Sequence, residues 1–170
     1  LIKFERKILD KMDIITTISH AMIGAIKKKG NYNNVYLFPN WADSLNVFPK
    51  PSTWLHEDLG LDTNKKLIVY SGNIGEKQGL ERILFVAKGL EKINELHFVI
   101  IGEGSSKDKL LSINNNLDLS NVSFRGLVEK SQLNQMLNSS FIQLVLQKKG
   151  KSNSFFPSKL SNILAAGIPS

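Results

Sequence analysis

Residues 67–90 read LIVYSGNIGEKQGLERILFVAKGL and combine three local patterns that decide the fold. Leu67–Tyr70 is a continuous apolar run rich in β-branched and aromatic residues, which is typical of a buried strand. A loop containing three glycines follows, from Gly72 to Gly79. Apolar residues then recur at helical spacing, at Leu80, Ile83, Leu84, Ala87 and Leu90. The stretch therefore predicts a strand, a glycine loop and a helix, the first part of a βαβ unit.

The same alternation continues towards the C-terminus. Further strands are predicted at His97–Ile101, Asn121–Phe124 and Phe141–Leu146. Helices are predicted near Leu110–Leu117, Leu133–Leu137 and Pro157–Ala166, with Gly167 as the C-cap of the last one. This order predicts an α/β fold, a Rossmann-like parallel sheet with helices on both faces.

The strands of such a sheet end at one common edge, and ligands bind outside it. The loops expected at that edge are Gly72–Gly79, Gly102–Lys107, Arg125–Lys130 and Gln147–Phe156. In three of them a glycine stands at or next to the end of the strand. We therefore expect the ligand at this edge.

Residues 1–50 predict part of a second α/β domain followed by a linker. The patterns favour helices at Phe4–Met12 and Ala21–Lys29, and strands at Asp13–Ser19 and Val35–Phe38. Prolines then interrupt the periodicity, so we place a domain boundary near Phe48–Ser52, with residues 51–170 as the ligand-binding domain. The sequence starts at Leu1 and stops where another strand is expected. We therefore expect a piece of a longer protein, truncated at its C-terminus.

The composition excludes several functional classes. The chain has 170 residues, no cysteine and a net charge of +7. Without cysteine there is no disulfide or thiolate zinc site, and the three histidines are scattered, so we expect no metal. The positive charge favours anionic partners such as phosphorylated ligands or acidic lipids. Nucleic acid is disfavoured because aromatic residues do not interleave with the lysines.

The loop SGNIGEKQG at residues 71–79 is the first candidate site. Gly72 and Gly75 lack a β-carbon, so the backbone can approach a ligand closely. Amide groups at the start of the following helix would suit a phosphate, and Lys77 adds a full charge. A plain βα turn with a solvated lysine is the alternative, since the loop is not a Walker sequence.

The next two loops give weaker signals. Gly102 and Gly104 begin a partial G-x-G-x-x-G pattern, but Lys107 stands at the third glycine position. No acidic residue ends the following strand, which disfavours a nicotinamide enzyme. Arg125 could reach a phosphate or could simply cap the edge of the sheet.

The segment FPSKLSNILAAG, residues 156–167, is the last candidate. Ser158 and Lys159 are predicted in the first turn of its helix, where free amide groups and a lysine can bind an anion. The small residues Ala165, Ala166 and Gly167 have a simpler explanation in close packing. A second phosphate contact and a purely structural helix both remain open here.

These motifs together resemble the retaining glycosyltransferases of family 4, which have the two-domain GT-B fold. The resemblance covers essentially the whole length and is greatest to bacterial enzymes of colanic-acid, capsule and other surface-polysaccharide assembly. It rests on DIITTIS (13–19), FPNWAD (38–43), SGNIGEKQG (71–79), VIIGEG (99–104) and NVSFRG (121–126).

The resemblance implies that residues 51–170 bind a nucleotide diphosphate sugar, without a metal or other cofactor, and that the catalytic groups lie in the N-terminal domain. It assigns the donor diphosphate to Gly72, Asn73, Gly75, Lys77, Ser158 and Lys159. It assigns the donor base and ribose to Gly102, Gly104, Arg125, Leu127, Val128, Leu160 and Asn162. The sequence departs from the family at three positions. Ser154 and Asn162 replace two glutamates, and Asn73 replaces an arginine.

The activity implied is transfer of the sugar, with retention, to a lipid-linked saccharide acceptor. The implied location is the cytoplasm, at the inner face of the membrane, with peripheral contact to acidic lipids. Two alternatives are a non-catalytic nucleotide-binding fragment and a GT-B nucleotide-sugar epimerase. An epimerase would need carboxylates and a histidine in the cleft, and the sequence offers no such set.

Overall fold

The computed structural model describes residues 2–146 and 157–170. The described residues form two compact units. The smaller contains residues 2–41 and 157–158, and the larger contains residues 42–146 and 159–170. No helix in the described parts of the chain combines the length and apolar character needed to cross a bilayer.

The smaller unit pairs two short parallel strands with two helices. Its elements are α1 (Ile2–Leu9), β1 (Ile15–Thr17), α2 (His20–Lys27) and β2 (Val35–Leu37). Ile15 lies opposite Val35 in the sheet, and both are buried with Tyr32. The Ser19 side chain caps α2 by accepting a hydrogen bond from the Met22 amide at 3.2 Å. All four elements were predicted from the sequence, but the strands are shorter than predicted and both helices begin and end earlier.

The larger unit is a parallel four-stranded sheet with the strand order β5-β4-β3-β6. Its elements are α3 (Trp54–Leu59), β3 (Lys66–Ser71), α4 (Glu81–Gly89), β4 (Leu96–Ile101), α5 (Lys107–Asn116), β5 (Val122–Arg125), a 3₁₀ turn (Lys130–Gln132), α6 (Leu133–Asn138), β6 (Ile142–Gln143) and α7 (Lys159–Ala165). The Rossmann-like parallel sheet predicted from the sequence is confirmed.

Side chains alternate between the two faces of the sheet, and each face is covered by helices. On one face Leu67 and Val69 pack with residues of α3, α6 and α7. On the other face Tyr70 and Phe98 pack with residues of α4 and α5. Each fully buried side chain of this size contributes about 1.5–3 kcal/mol. This two-sided core fixes the strands whose ends carry the candidate site.

Helix α3 was missed in the sequence because six residues after Pro51 are too few for a helical period to show. It ends at Gly60, which has a left-handed backbone with φ 63°. The amide of Leu61 donates to the His56 carbonyl at 2.8 Å and closes the turn.

Residues 42–51 pack with the larger unit, where Val47 is 3% exposed. The domain boundary near Phe48–Ser52 stays a prediction.

The two C-terminal elements are shorter than predicted. β6 contains only Ile142 and Gln143, paired with Ile68 and Val69 of β3, although the flanking Phe141 and Leu144 amides also donate to β3 carbonyls at 2.9 and 2.7 Å. α7 begins at Lys159 rather than Pro157. Its predicted C-cap is confirmed, since Gly167 has φ 70° and the Ile168 amide donates to the Ile163 carbonyl at 3.2 Å.

Candidate functional site

The carboxyl ends of β3, β4 and β5 meet at one edge of the sheet, as predicted. The chain continues from these strands with Gly72, Gly102 and Gly126 respectively. Open parallel sheets bind ligands outside this edge. The edge is therefore the place to look for a site.

Gly72 and Gly102 touch through their backbones. Their φ angles are 146° and 141°, a region that residues with a side chain rarely adopt. The Gly72 amide donates to the Ile101 carbonyl at 2.9 Å. A β-carbon on Gly102 would lie 1.9 Å from the Gly72 carbonyl oxygen. Only glycine fits at residue 102, and the two loops are joined at their first residues.

A second set of contacts joins the same two loops further from the sheet. The Ile74 amide donates to the Glu103 carbonyl at 2.8 Å, and the Ser106 amide donates to the Ile74 carbonyl at 2.9 Å. A β-carbon on Gly104 would lie 2.4 Å from the Ile74 carbonyl oxygen. These contacts hold the loop after β3 on the loop after β4. A β-carbon on Gly75 would meet only the Asn73 and Gln78 side chains, so Gly75 takes no part in this contact between the loops.

The loop after β3 presents unused donors. Within the described chain, the amides of Asn73, Gly75, Glu76 and Lys77 donate no hydrogen bond. Asn73 and Lys77 are exposed, and the Lys77 side chain has no ion pair with a described residue. Helix α4 begins only at Glu81, so the predicted cradle at the start of the helix is corrected to the turn ahead of it. Unpaired amides beside a lysine can bind an anion.

Lys159 reaches the same loop from the first residue of α7. Its ammonium donates to the Ser71 carbonyl at 3.1 Å and lies 3.9 Å from the centroid of the Tyr70 ring. It lies 3.6 Å from where a β-carbon of Gly72 would be. Burial lowers the pKa of Lys159 to about 8. The sequence placed a cation here, and the structure puts its charge directly beside Gly72.

A family model described as Glycosyl transferases group 1 matches residues 53–170. The chain belongs to this family. The match contains the loops that follow β3, β4 and β5, and it also contains α7. It therefore confirms the glycosyltransferase resemblance that the motifs indicated.

Two relatives of this group 1 glycosyl transferase chain extend the match beyond the family model. The putative colanic acid biosynthesis glycosyl transferase WcaI of Escherichia coli (strain K12) is 40% identical over 168 residues, covering 96% of the chain and 41% of the relative. The probable glycosyltransferase WbjE of Pseudomonas aeruginosa is 27% identical over 168 residues, covering 95% of the chain and 41% of the relative. The chain thus spans about two fifths of the length of either relative.

A solved structure shows the same fold. The crystal structure of Anabaena Alr3699/HepE in complex with UDP-glucose matches with a TM-score of 0.79 at 13% identity. The match covers 99% of this chain and 47% of that one. At this identity the likeness concerns the fold alone.

Arg125 of this group 1 glycosyl transferase chain is held by the protein itself. Its guanidinium donates to both carboxylate oxygens of Asp58, at 2.6 and 3.1 Å, and to the Leu127 carbonyl at 3.1 Å. The guanidinium carbon also lies 4.9 Å from the centroid of the Trp54 ring. The hydrogen bonds from Arg125 hold the pKa of the Asp58 carboxyl below its usual value. Of the two predictions for Arg125, the structure favours the cap on the sheet edge.

The remaining predicted residues differ in their exposure. Leu127 is 71% exposed, whereas Val128 packs on the core beside α6. Leu160 and Asn162 in α7 are half-buried. Ser158 directly precedes α7 and is exposed, so it lies one residue outside the helix in which it was predicted.

Two predictions fall on residues outside the described ranges. Ser154, which stands where the family has its first glutamate, is one of them. The other is the loop Gln147–Phe156 with its lysines. Within residues 2–146 and 157–170, no group of three or more His, Cys, Asp or Glu residues could hold a metal ion.

Sequence reasoning missed Tyr70, which it treated only as a strand residue. Its hydroxyl donates to the Asn73 carbonyl at 2.8 Å, and its ring faces Lys159. A tyrosine at the next-to-last position of a strand, two residues before a glycine, was a signal that could have indicated a contact with the loop. The partners of Arg125 were also missed, because Trp54 and Asp58 lie in the unrecognised helix α3.

Proposed function

We propose that this chain is the donor-binding part of a glycosyltransferase that transfers a sugar from a nucleotide diphosphate. The observation that carries the proposal is the loop after β3. It combines free amides, the exposed Lys77 and the nearby Lys159 ammonium at the carboxyl edge of a Rossmann-like sheet. Membership of the group 1 family supports the reaction class, and the likeness in fold to a structure solved with UDP-glucose supports the donor.

The donor diphosphate would lie against the loop after β3. The amides of Asn73, Gly75 and Lys77 would donate to phosphate oxygens, and Gly72 would allow the phosphates to come close to the backbone. Lys77 and Lys159 would supply positive charge, with Ser158 as a further hydroxyl donor. This charge would stabilise the nucleoside diphosphate as it leaves, so no metal is needed in the proposal.

The base and ribose would lie towards the loops after β4 and β5. Gly102 and Gly104 allow the loop after β4 to pack on the loop after β3, and the backbone groups at Leu127 and Val128 can pair with the edge of a base. In α7, Leu160 would pack against the nucleoside and Asn162 would hydrogen-bond a ribose hydroxyl, less strongly than a carboxylate would. Arg125 would support this region through Leu127 rather than bind the donor directly.

The finer features of the reaction are also proposals. The resemblance to family 4 supports retention of the anomeric configuration. The name of the Escherichia coli relative supports a saccharide acceptor in the biosynthesis of a surface polysaccharide. We further propose that this acceptor is lipid-linked and that the protein works in the cytoplasm at the inner membrane face. The net charge of +7 supports peripheral contact with acidic lipids there.

Isothermal titration calorimetry of the folded chain with UDP, GDP and ADP tests the donor site. Saturable binding of at least one nucleotide diphosphate is expected, and it should persist in EDTA. The absence of heat with all three, from a sample whose circular dichroism shows a folded α/β protein, would reject the donor site. Binding that requires a divalent ion would reject the metal-free form of the proposal.

Turnover is tested on the whole protein that contains this chain. Radiolabelled nucleotide sugars are incubated with membranes that hold the lipid-linked acceptors. Transfer of label to the lipid fraction, with the donor's anomeric configuration kept, supports the proposed reaction. Nucleotide binding without transfer would support a non-catalytic module, and conversion of one nucleotide sugar into another would support an epimerase.

A further inference from the structure

The two carbonyl groups on either side of Gly72 are held by two different elements. The Tyr70 hydroxyl, from β3, donates to the Asn73 carbonyl at 2.8 Å. The Lys159 ammonium, from α7, donates to the Ser71 carbonyl at 3.1 Å. The two held peptide groups are Ser71–Gly72 and Asn73–Ile74, whose amides donate to the Ile101 and Glu103 carbonyls at 2.9 and 2.8 Å. They flank the peptide group that carries the free Asn73 amide, so they limit how that amide can turn.

Tyr70 and Lys159 also contact each other. The Lys159 ammonium lies 3.9 Å from the centroid of the Tyr70 ring, a short cation–π distance. The ring is buried, and burial raises the pKa of the Tyr70 hydroxyl to about 12. The phenol therefore stays neutral and able to donate. Tyr70 thus places the ammonium and bonds the loop at the same time.

The Lys159 ammonium can compensate for a positive charge that the sequence lacks in the loop after β3. The family resemblance expects an arginine at residue 73, where this chain has asparagine. The Lys159 ammonium lies 3.6 Å from where a β-carbon of Gly72 would be, next to that position. An ammonium has three donors, and the Ser71 carbonyl and the Tyr70 ring engage two of them. No other described residue accepts a hydrogen bond from this ammonium, so a third donor can bond an anion at the turn.

We propose that Tyr70 and Lys159 are a positioning pair that holds the Gly72 turn in its diphosphate-binding shape, while the Lys159 ammonium supplies the second cation of the site. This inference rests on the proposed donor site and deepens it. Lys77 acts from the exposed side of the loop and Lys159 from the buried side. The diphosphate is bound between the half-buried charge of Lys159 and the exposed charge of Lys77.

Donor affinity therefore depends on the protonation of Lys159. Among described residues, Tyr70 is the titratable group in contact with Lys159. The loops at this edge add Glu76, Lys77 and Glu103, and Glu103 is paired with Lys107 at 2.7 Å. Burial is the cause of the low pKa of Lys159, about 8, so the free protein loses this charge as the pH rises through 8. UDP affinity should fall across pH 7–9.

The test compares three single variants with the wild-type chain by calorimetry with UDP and, separately, GDP. Lys159→Met removes the charge and should weaken binding roughly 10- to 100-fold. It should also abolish the fall in affinity between pH 7 and 9. Tyr70→Phe keeps the ring and should cost roughly 3- to 10-fold. Lys77→Ala is the matched control, since it should lower affinity but keep the same dependence on pH.

Hydrogen exchange of the loop peptide containing residues 72–79, measured without nucleotide, tests the pair independently of the donor. Exchange should be faster in Lys159→Met and Tyr70→Phe than in wild type, and unchanged in Lys92→Met on the opposite edge. Unchanged exchange of this loop in both variants would show that Tyr70 and Lys159 do not position it, even if the wild-type chain bound no nucleotide. If the wild type binds UDP or GDP, affinity within twofold of it in Lys159→Met, or a persisting dependence on pH, would overturn the pair while leaving the donor site intact.

Discussion

Gly102 lies so close to Gly72 that a β-carbon at residue 102 would be 1.9 Å from the Gly72 carbonyl oxygen. This contact joins the first residues of two loops that leave neighbouring strands. Packing between the two loops is enough to require glycine at residue 102. The contact also holds the loop after β3, whose Asn73, Gly75, Glu76 and Lys77 amides donate to no described residue.

Gly102→Ala should therefore destabilise the larger unit. The backbone of residue 102 has φ 141°, and the new methyl group meets backbone rather than a flexible side chain. We expect a loss of about 2–4 kcal/mol in the free energy of unfolding, measured by urea denaturation. Gly89→Ala is the control, because nothing lies within 4 Å of a β-carbon there. A Gly102→Ala protein as stable as this control would contradict the contact.

Lys77→Ala should weaken UDP binding without changing stability. The side chain is exposed and has no ion pair with a described residue, so its removal costs the fold nothing. Loss of a charged hydrogen-bond partner to phosphate should cost about 1.5–3 kcal/mol of binding free energy. Calorimetry measures the binding, and Lys92→Ala, an exposed lysine at the other end of the sheet, is the control. Equal affinities for both variants would remove Lys77 from the site.

Asp58→Asn should separate the two predictions for Arg125. The ion pair is only partly buried, so its weakening should cost about 1 kcal/mol of stability in urea denaturation. If Arg125 only caps the sheet edge, UDP affinity should stay within about threefold of the wild-type value. A larger change, in either direction, would show that Arg125 acts on the donor. Asp62→Asn, in a turn away from this edge, is the matched control.

The sequence predicted the larger unit well because its strands are strong local signals. Leu67–Tyr70 and His97–Ile101 are apolar, β-branched runs whose burial follows from composition alone. Helix α3 was missed because its six residues are stabilised by packing and by Gly60, not by a local period. The predicted bounds of β6 were too long, because an apolar run does not show where pairing with β3 ends, which here is just after Gln143.

The sequence predicted which residues belong to the candidate site but not which of them contact each other. The glycines after each strand and Lys77 follow from pattern and charge. The contact of Lys159 with Tyr70 joins residues that lie 89 positions apart, and no local rule brings them together. The same holds for Arg125 and Asp58, which are 67 residues apart. Long-range contacts decide which of the predicted cations are free and which are held by the protein.

His97 should make the stability of the larger unit fall in weak acid. The residue is 5% exposed, and its Nε2 lies 2.8 Å from the Ser123 hydroxyl. Burial lowers the pKa of His97 to about 4 in the folded chain, against about 6.5 when unfolded. The unfolded chain thus binds more protons than the folded chain between these two pH values. The contribution of His97 to the free energy of unfolding is therefore fully present above pH 6.5 and declines as the pH falls towards 4.

The expected loss is about 3 kcal/mol between pH 7 and pH 4, measured by urea denaturation across that range. His97→Gln should be less stable at pH 7, because the core loses a fitted ring, but should lose about 3 kcal/mol less on acidification. His20→Gln is the control, since His20 is exposed and should leave the dependence on pH unchanged. A His97→Gln protein with the wild-type dependence on pH would show that other groups cause the acid sensitivity.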